Sequence, residues 1–81
     1  MKQIIFIQHA LDRLKERGIS KELVMKIIRN PDGVDSEIAT RNIAYKLIEG
    51  KLIRIVYDEE EESIVVISAY STSKVRKYLR R

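Results

Sequence analysis

Cysteine is absent from this sequence. That excludes a disulfide framework, thiolate catalysis and Cys-ligated zinc, and it suits a reducing compartment. Tryptophan is absent as well, and aromatic residues make up only 6% of the chain. In 81 residues the core must therefore come from Ile, Leu and Val, and no deep cavity for a large cofactor is expected. There is one histidine, so no His-rich metal set is available. The apolar run from Ile4 to Ile7 is too short for a signal peptide or a membrane helix. No Gly-rich phosphate loop and no Ser-His-Asp arrangement is present. Together these absences predict a cytoplasmic domain spanning residues 1–81, with no cofactor, no metal and no membrane partner; the periodicity of the chain makes it α+β. Its chemistry would sit on a surface or in a groove.

What is present is positive charge, unevenly spread. The net charge is +4, with 16 basic and 12 acidic residues. Five of those acids are consecutive, Asp58 to Glu62, which leaves 16 basic against 7 acidic residues elsewhere. A basic body with one acidic loop is the electrostatic footprint of a protein that meets phosphates. The plainer alternative is a highly charged surface serving solubility and heat resistance. The acidic run lacks the alternating ligand spacing of a calcium loop and reads as a solvated turn.

Periodicity sets out the elements. Gln3 to Phe6 is β-prone and predicts a short strand. Over Gln8 to Arg17, Ile7, Ala10, Leu11 and Leu14 recur at helical spacing, and Gly18 is a natural left-handed stop. Ser20 suits the N-cap of a second helix, Lys21 to Arg29, with Leu23, Val24, Ile27 and Ile28 inward. Pro31 and Asp32-Gly33 end it. Val34 to Thr40 reads as either loop or strand. Arg41 to Ile48 and Leu52 to Tyr57 alternate as strands around a hairpin signal, Glu49-Gly50-Lys51. The apolar centre Ile64 to Ile67 of a third strand, Ser63 to Tyr70, suggests an interior position. A short helix over Lys74 to Arg81, with Val75, Tyr78 and Leu79 inward, closes the order. The expectation is a three-to-four-stranded antiparallel sheet with a helical hairpin.

Three constellations carry candidate chemistry. His9, Arg13 and Arg17 form an i, i+4, i+8 stripe on the first helix. A histidine beside two guanidiniums suits acid–base work next to a bound phosphate; the alternative is that the arginines pair with Asp12, Glu16 or a carbonyl and His9 caps a packing contact. Lys46 and Arg54 are read as facing each other across the hairpin, away from Ile43, Tyr45 and Ile53. Facing like charges imply an anion between them; a one-residue slip would put Arg54 on the other face. The C-terminal stretch from Ala69 holds Tyr70, Thr72, Ser73, Lys74, Arg76, Lys77, Tyr78, Arg80 and Arg81, with five basic residues in its last eight positions. Tyrosine rings stack on unpaired bases while Lys and Arg hold the backbone. The alternative is that Tyr78 and Leu79 anchor the last helix and the cations offset its dipole.

Four blocks now stand in order: His9-Ala10-x-x-Arg13-x-x-x-Arg17-Gly18-Ile19-Ser20, then Asn30-Pro31, then Arg54-x-Val56-Tyr57, then Ser68-Ala69-Tyr70-x-Thr72-Ser73-Lys74. Together they resemble the domain-of-unknown-function family 4258, and its layout is similar to the BrnT and RelE/ParE toxins. That resemblance implies a small antiparallel sheet with helices on one side and RNA cleavage without metal. It implies RNA as a partner, free or on the ribosome, and a cognate antitoxin that neutralises the protein. It carries over His9, Arg13, Arg17 and the Tyr70 to Lys74 block as catalytic candidates; Arg54 joins them on the charge argument alone. Lys46, Thr72, Ser73, Arg76, Lys77, Tyr78, Arg80 and Arg81 are candidates for holding the nucleic acid. The alternatives are a non-enzymatic module binding RNA, a ribosomal surface or a topoisomerase, and a scaffold whose charge only keeps it soluble.

Overall fold

The computed structural model describes residues 2–78. Leu79, Arg80 and Arg81, expected to end the last helix, lie outside the described residues. The elements are β1 (Gln3–Phe6), α1 (Gln8–Arg17), α2 (Lys21–Arg29), β2 (Gly33–Ser36), β3 (Arg41–Ile48), β4 (Lys51–Glu59), β5 (Ser63–Thr72) and α3 (Val75–Tyr78). The fold is α+β, as the periodicity predicts.

Local chemistry explains the helical hairpin. Gly18 adopts φ 66°, ψ 33° and ends α1. The Ile19 N–H then reaches back to the Leu14 carbonyl at 3.0 Å, and Ile19 is buried against the core. This is the glycine-terminated helix end that an apolar next residue locks. Ser20 Oγ accepts from the Leu23 N–H at 3.1 Å and caps α2. Asn30 and Pro31 stop it.

The sheet has five strands in the order β1-β5-β4-β3-β2. This exceeds the expected three to four, and the sheet is mixed rather than antiparallel. β1 adds in parallel, pairing Ile4 with Ile64 and Phe6 with Val66. β2 forms within the ambiguous segment and pairs antiparallel with β3. Ile64 to Val66 of β5 have β1 on one side and β4 on the other, the interior position that the apolar run suggested.

The two faces differ. Ala10, Leu14, Ile19, Val24 and Ile27 of the helices pack on Ala44, Ile53, Ile55, Tyr57, Val66 and Ala69. That helix-covered face holds the main core. Ile43, Tyr45 and Leu52 are buried outside it, on the opposite face, by strand alternation. Among the described residues no helix is long and apolar enough to cross a membrane.

Candidate nucleic-acid interface

The β3–β4 hairpin decides which side chains meet. Its loop is two residues, Glu49 and Gly50, with Ile48 paired to Lys51. Both loop residues have positive φ, 49° and 82°, as a type I′ turn requires. With two loop residues instead of three, Tyr45 faces Arg54 and Lys46 faces Ile53. The expected pairing of Lys46 with Arg54 is therefore wrong by one residue. Lys46 sits on the helix-covered face and donates to the Asn30 carbonyl at 3.1 Å, with Asp32 at 3.5 Å. It caps the end of α2. Arg54 is on the other face, with Tyr45.

Across that other face runs one row: Gly33, Tyr45, Arg54 and Tyr70 on β2, β3, β4 and β5. Tyr45 leans over Gly33, where a Cβ would overlap the phenol ring and hydroxyl. A side chain at position 33 would displace it, so glycine is required by close approach. β5 carries an unpaired extra residue, Ile67, between the partners of Val56 and Tyr57. This bulge brings Ser68 and Tyr70 to the Arg54 face.

Arg54 is the one buried charged residue among those described. Its Nε donates to Tyr70 Oη at 2.8 Å. Its guanidinium carbon lies 4.4 Å from the Tyr78 ring centroid and 6.0 Å from that of Tyr70. The first is a close cation–π stack, and it brings α3 onto this face. Nη1 lies 3.7 Å from Asp35 Oδ2. That is too long for a hydrogen bond, and Nη1 is buried with no hydrogen-bond partner among the described residues.

The other expected residues are distributed as follows. Lys77 has its Nζ 5.6 Å from the Tyr78 ring. The Thr72 hydroxyl accepts from the Lys74 N–H at 3.0 Å and shapes the turn into α3. Ser73, Lys74, Arg76 and Lys77 are exposed. The structure thus gathers Arg54, Tyr70 and Tyr78, with the basic turn and helix beside them. It does not gather His9, Arg13 and Arg17 with them. These lie on α1, whose Ala10 and Leu14 pack on the opposite face. His9 is exposed, Arg13 pairs with Glu16 at 3.1 Å, and Arg17 donates to the Ala69 carbonyl at 2.8 Å. β1 ends at Phe6, so the outer edge of β5 beyond Val66 has no strand beside it, and Arg17 satisfies a carbonyl there.

Asp35 is the site residue that the sequence did not reveal. Its only signal is a carboxylate in a four-residue strand. A groove of about 460 Å³, lined by Lys2, Ile4, Ile28, Arg29, Glu59 and Ile64, opens elsewhere. On its rim Lys2 pairs with Glu59 at 2.8 Å. Among the described residues no cluster of His, Asp and Glu is grouped to hold a metal ion.

No curated protein and no solved structure matches the chain. Residues 6–71, which run from the end of β1 through Tyr70, match the family described as a domain of unknown function (DUF4258), and the chain belongs to that family.

Proposed function

We propose that this protein is a toxin-like, metal-independent endoribonuclease, neutralised by an antitoxin protein, whose working face carries Arg54, Tyr70 and Tyr78. The observation that supports this reading is the state of Arg54. A guanidinium taken out of water costs several kcal/mol unless its N–H groups are well paired. Here one buried nitrogen, Nη1, has no hydrogen bond among the described residues. An aliphatic residue would satisfy a fold that needed only stability. A buried cation with an open donor is accounted for if an anion completes it. Exposed Lys74, Arg76 and Lys77 beside it suit flanking phosphates, and Tyr70 and Tyr78 suit unpaired bases. The resemblance to BrnT and RelE/ParE toxins points the same way.

The chemistry follows from the donors. The 2′-hydroxyl of a ribose gives its proton to solvent water and its oxygen attacks the adjacent phosphorus, while the bond to the 5′-oxygen breaks and that oxygen takes up a proton. The products are a cyclic phosphate and a free 5′-hydroxyl. Charge developing on the phosphoryl oxygens is met by the fixed Arg54 guanidinium. Tyr70 Oη accepts from Arg54 Nε, so its own proton remains available for a phosphoryl oxygen or the leaving 5′-oxygen.

A second reading, a non-enzymatic RNA-, ribosome- or topoisomerase-binding module, is favoured by one observation. His9, expected to move protons if a tyrosine does not, stands on α1 and not beside Arg54. Incubation with labelled single-stranded RNA in excess chelator, resolved on a denaturing gel, separates the two. Discrete fragments that disappear in Arg54→Gln support the nuclease. Intact RNA with a salt-sensitive gel shift supports the binding module.

A further inference from the structure

The buried, unbonded Nη1 of Arg54 is approached by one carboxylate. Asp35 stands on β2 opposite Ile43, in the row next to that of Arg54 and on the same face. Among the described residues it is the one acid within 4.0 Å of the guanidinium. The Arg54 side chain is 7% exposed, whereas that of Asp35 is 51% exposed. At 3.7 Å from Nη1, the carboxylate attracts the cation without completing its hydrogen bonding. A pair serving stability alone would close to contact. Asp35 belongs to a four-residue edge strand with a neighbour on one side only, so its half-exposed side chain is free to turn outward.

We propose that Asp35 is a built-in competitor for the phosphodiester that Arg54 receives. While the site is empty, it offsets the charge of a guanidinium that would otherwise sit buried and uncompensated. Nη1 is buried, so a phosphodiester oxygen reaches it only when Asp35 turns outward, and the carboxylate then still faces a second anion a few ångströms away, which weakens binding. Asp35 therefore sets the affinity of the site from below and discriminates against loosely fitting anions. This inference rests on the reading of Arg54 as an RNA phosphate site and assigns that site its opposing group.

The test uses a fluorescently labelled single-stranded 2′-O-methyl oligonucleotide, which binds without being cleaved, followed by anisotropy at low salt. The proteins are wild type, Asp35→Asn, Asp35→Ser, Arg54→Gln and the Asp35→Asn, Arg54→Gln double variant. Because Asp35 is half exposed and screened, removing its charge is expected to tighten binding about two- to five-fold. Serine guards against a new hydrogen bond made by asparagine. The gain is expected to vanish in the Arg54→Gln background. Equal or weaker binding by both Asp35 variants overturns the proposal. So does a gain of the same size with Gln at position 54, which would be a general charge effect. If wild type and Arg54→Gln bind alike, the RNA-site reading itself fails, and the Asp35 role fails with it.

Discussion

Replacing Arg54 with methionine separates a functional cation from a structural one. Arg54→Met removes a charge-assisted hydrogen bond to Tyr70, worth about 1.5–3 kcal/mol. It removes the stack on Tyr78, worth about 0.5–2 kcal/mol, and an attraction to half-exposed Asp35 of less than about 1 kcal/mol. Against these losses, it removes the desolvation of a guanidinium that is 7% exposed, several kcal/mol by itself. It also removes the unpaired Nη1 donor, about 1–3 kcal/mol. The unbranched apolar methionine fills the same column between Tyr45 and Tyr70. Replacing an imperfectly paired buried ion by a hydrophobic residue of similar volume is often neutral or stabilising, so the expected change is about 0 to 2 kcal/mol in favour of the folded state. At about 4–8 °C per kcal/mol for a domain of this size, Tm should hold or rise by several degrees. Thermal unfolding followed by far-UV circular dichroism reads this directly, with RNA binding measured on the same samples and expected to be lost. A fall in Tm of more than about 8 °C would refute the reasoning. Arg54 would then be holding β4, β5 and α3 together, and its role would be structural.

Other perturbations follow from single positions. Glu49→Asn should raise stability by about 0.5–1 kcal/mol, because asparagine tolerates the left-handed turn conformation better; chemical denaturation measures it. Gly33→Ala should destabilise by about 1–3 kcal/mol, since its methyl meets the Tyr45 ring, and the same denaturation curves show it. Lys46→Met should leave RNA affinity within about two-fold while lowering stability modestly, because Lys46 caps α2 rather than facing Arg54. Asp32 is held below the ordinary carboxylate value chiefly by the Leu47 N–H, and Asp58 by its hydrogen bond from Arg41. Their folded pKa values lie below the unfolded 3.8, so the stability they supply is fully present above that value and is lost as pH falls through the folded values. Asp32→Asn and Asp58→Asn should each flatten the drop in denaturant midpoint between about pH 5 and about pH 2.

The helices were legible because their ends are chemical: Gly18, Ser20 and Pro31 punctuate the chain, and α1 and α2 fall where these residues place them. Alternation within each strand was legible too. The relation between strands was not, because it depends on loop length. Ile43, Tyr45 and Leu47 share one face, and Ile53, Ile55 and Tyr57 share the other, since a two-residue turn pairs Tyr45 with Arg54. A three-residue turn that included Lys51 would place Lys46 opposite Arg54; the two-residue turn puts them on opposite faces. β4 also runs further than alternation suggested, into the acidic run, because Arg41 neutralises Asp58 and Lys2 neutralises Glu59. Of the candidate site, Arg54 was visible only as a supposed partner of Lys46, and Tyr70 and Tyr78 only within the basic C-terminal stretch; that the three meet was not. Asp35 was not, since nothing local marks an edge-strand acid as the neighbour of an arginine 19 positions later.

The most direct test compares two variants with wild type for affinity to one single-stranded RNA at low salt: Arg54→Gln on the open sheet face, and His9→Ala with Arg13→Ala on α1. With the RNA site on the Arg54 face, Arg54→Gln should weaken binding about ten-fold or more, and the α1 variant should stay within about three-fold of wild type. Loss confined to the α1 variant, with Arg54→Gln binding like wild type, would contradict it and move the site to the His9 stripe.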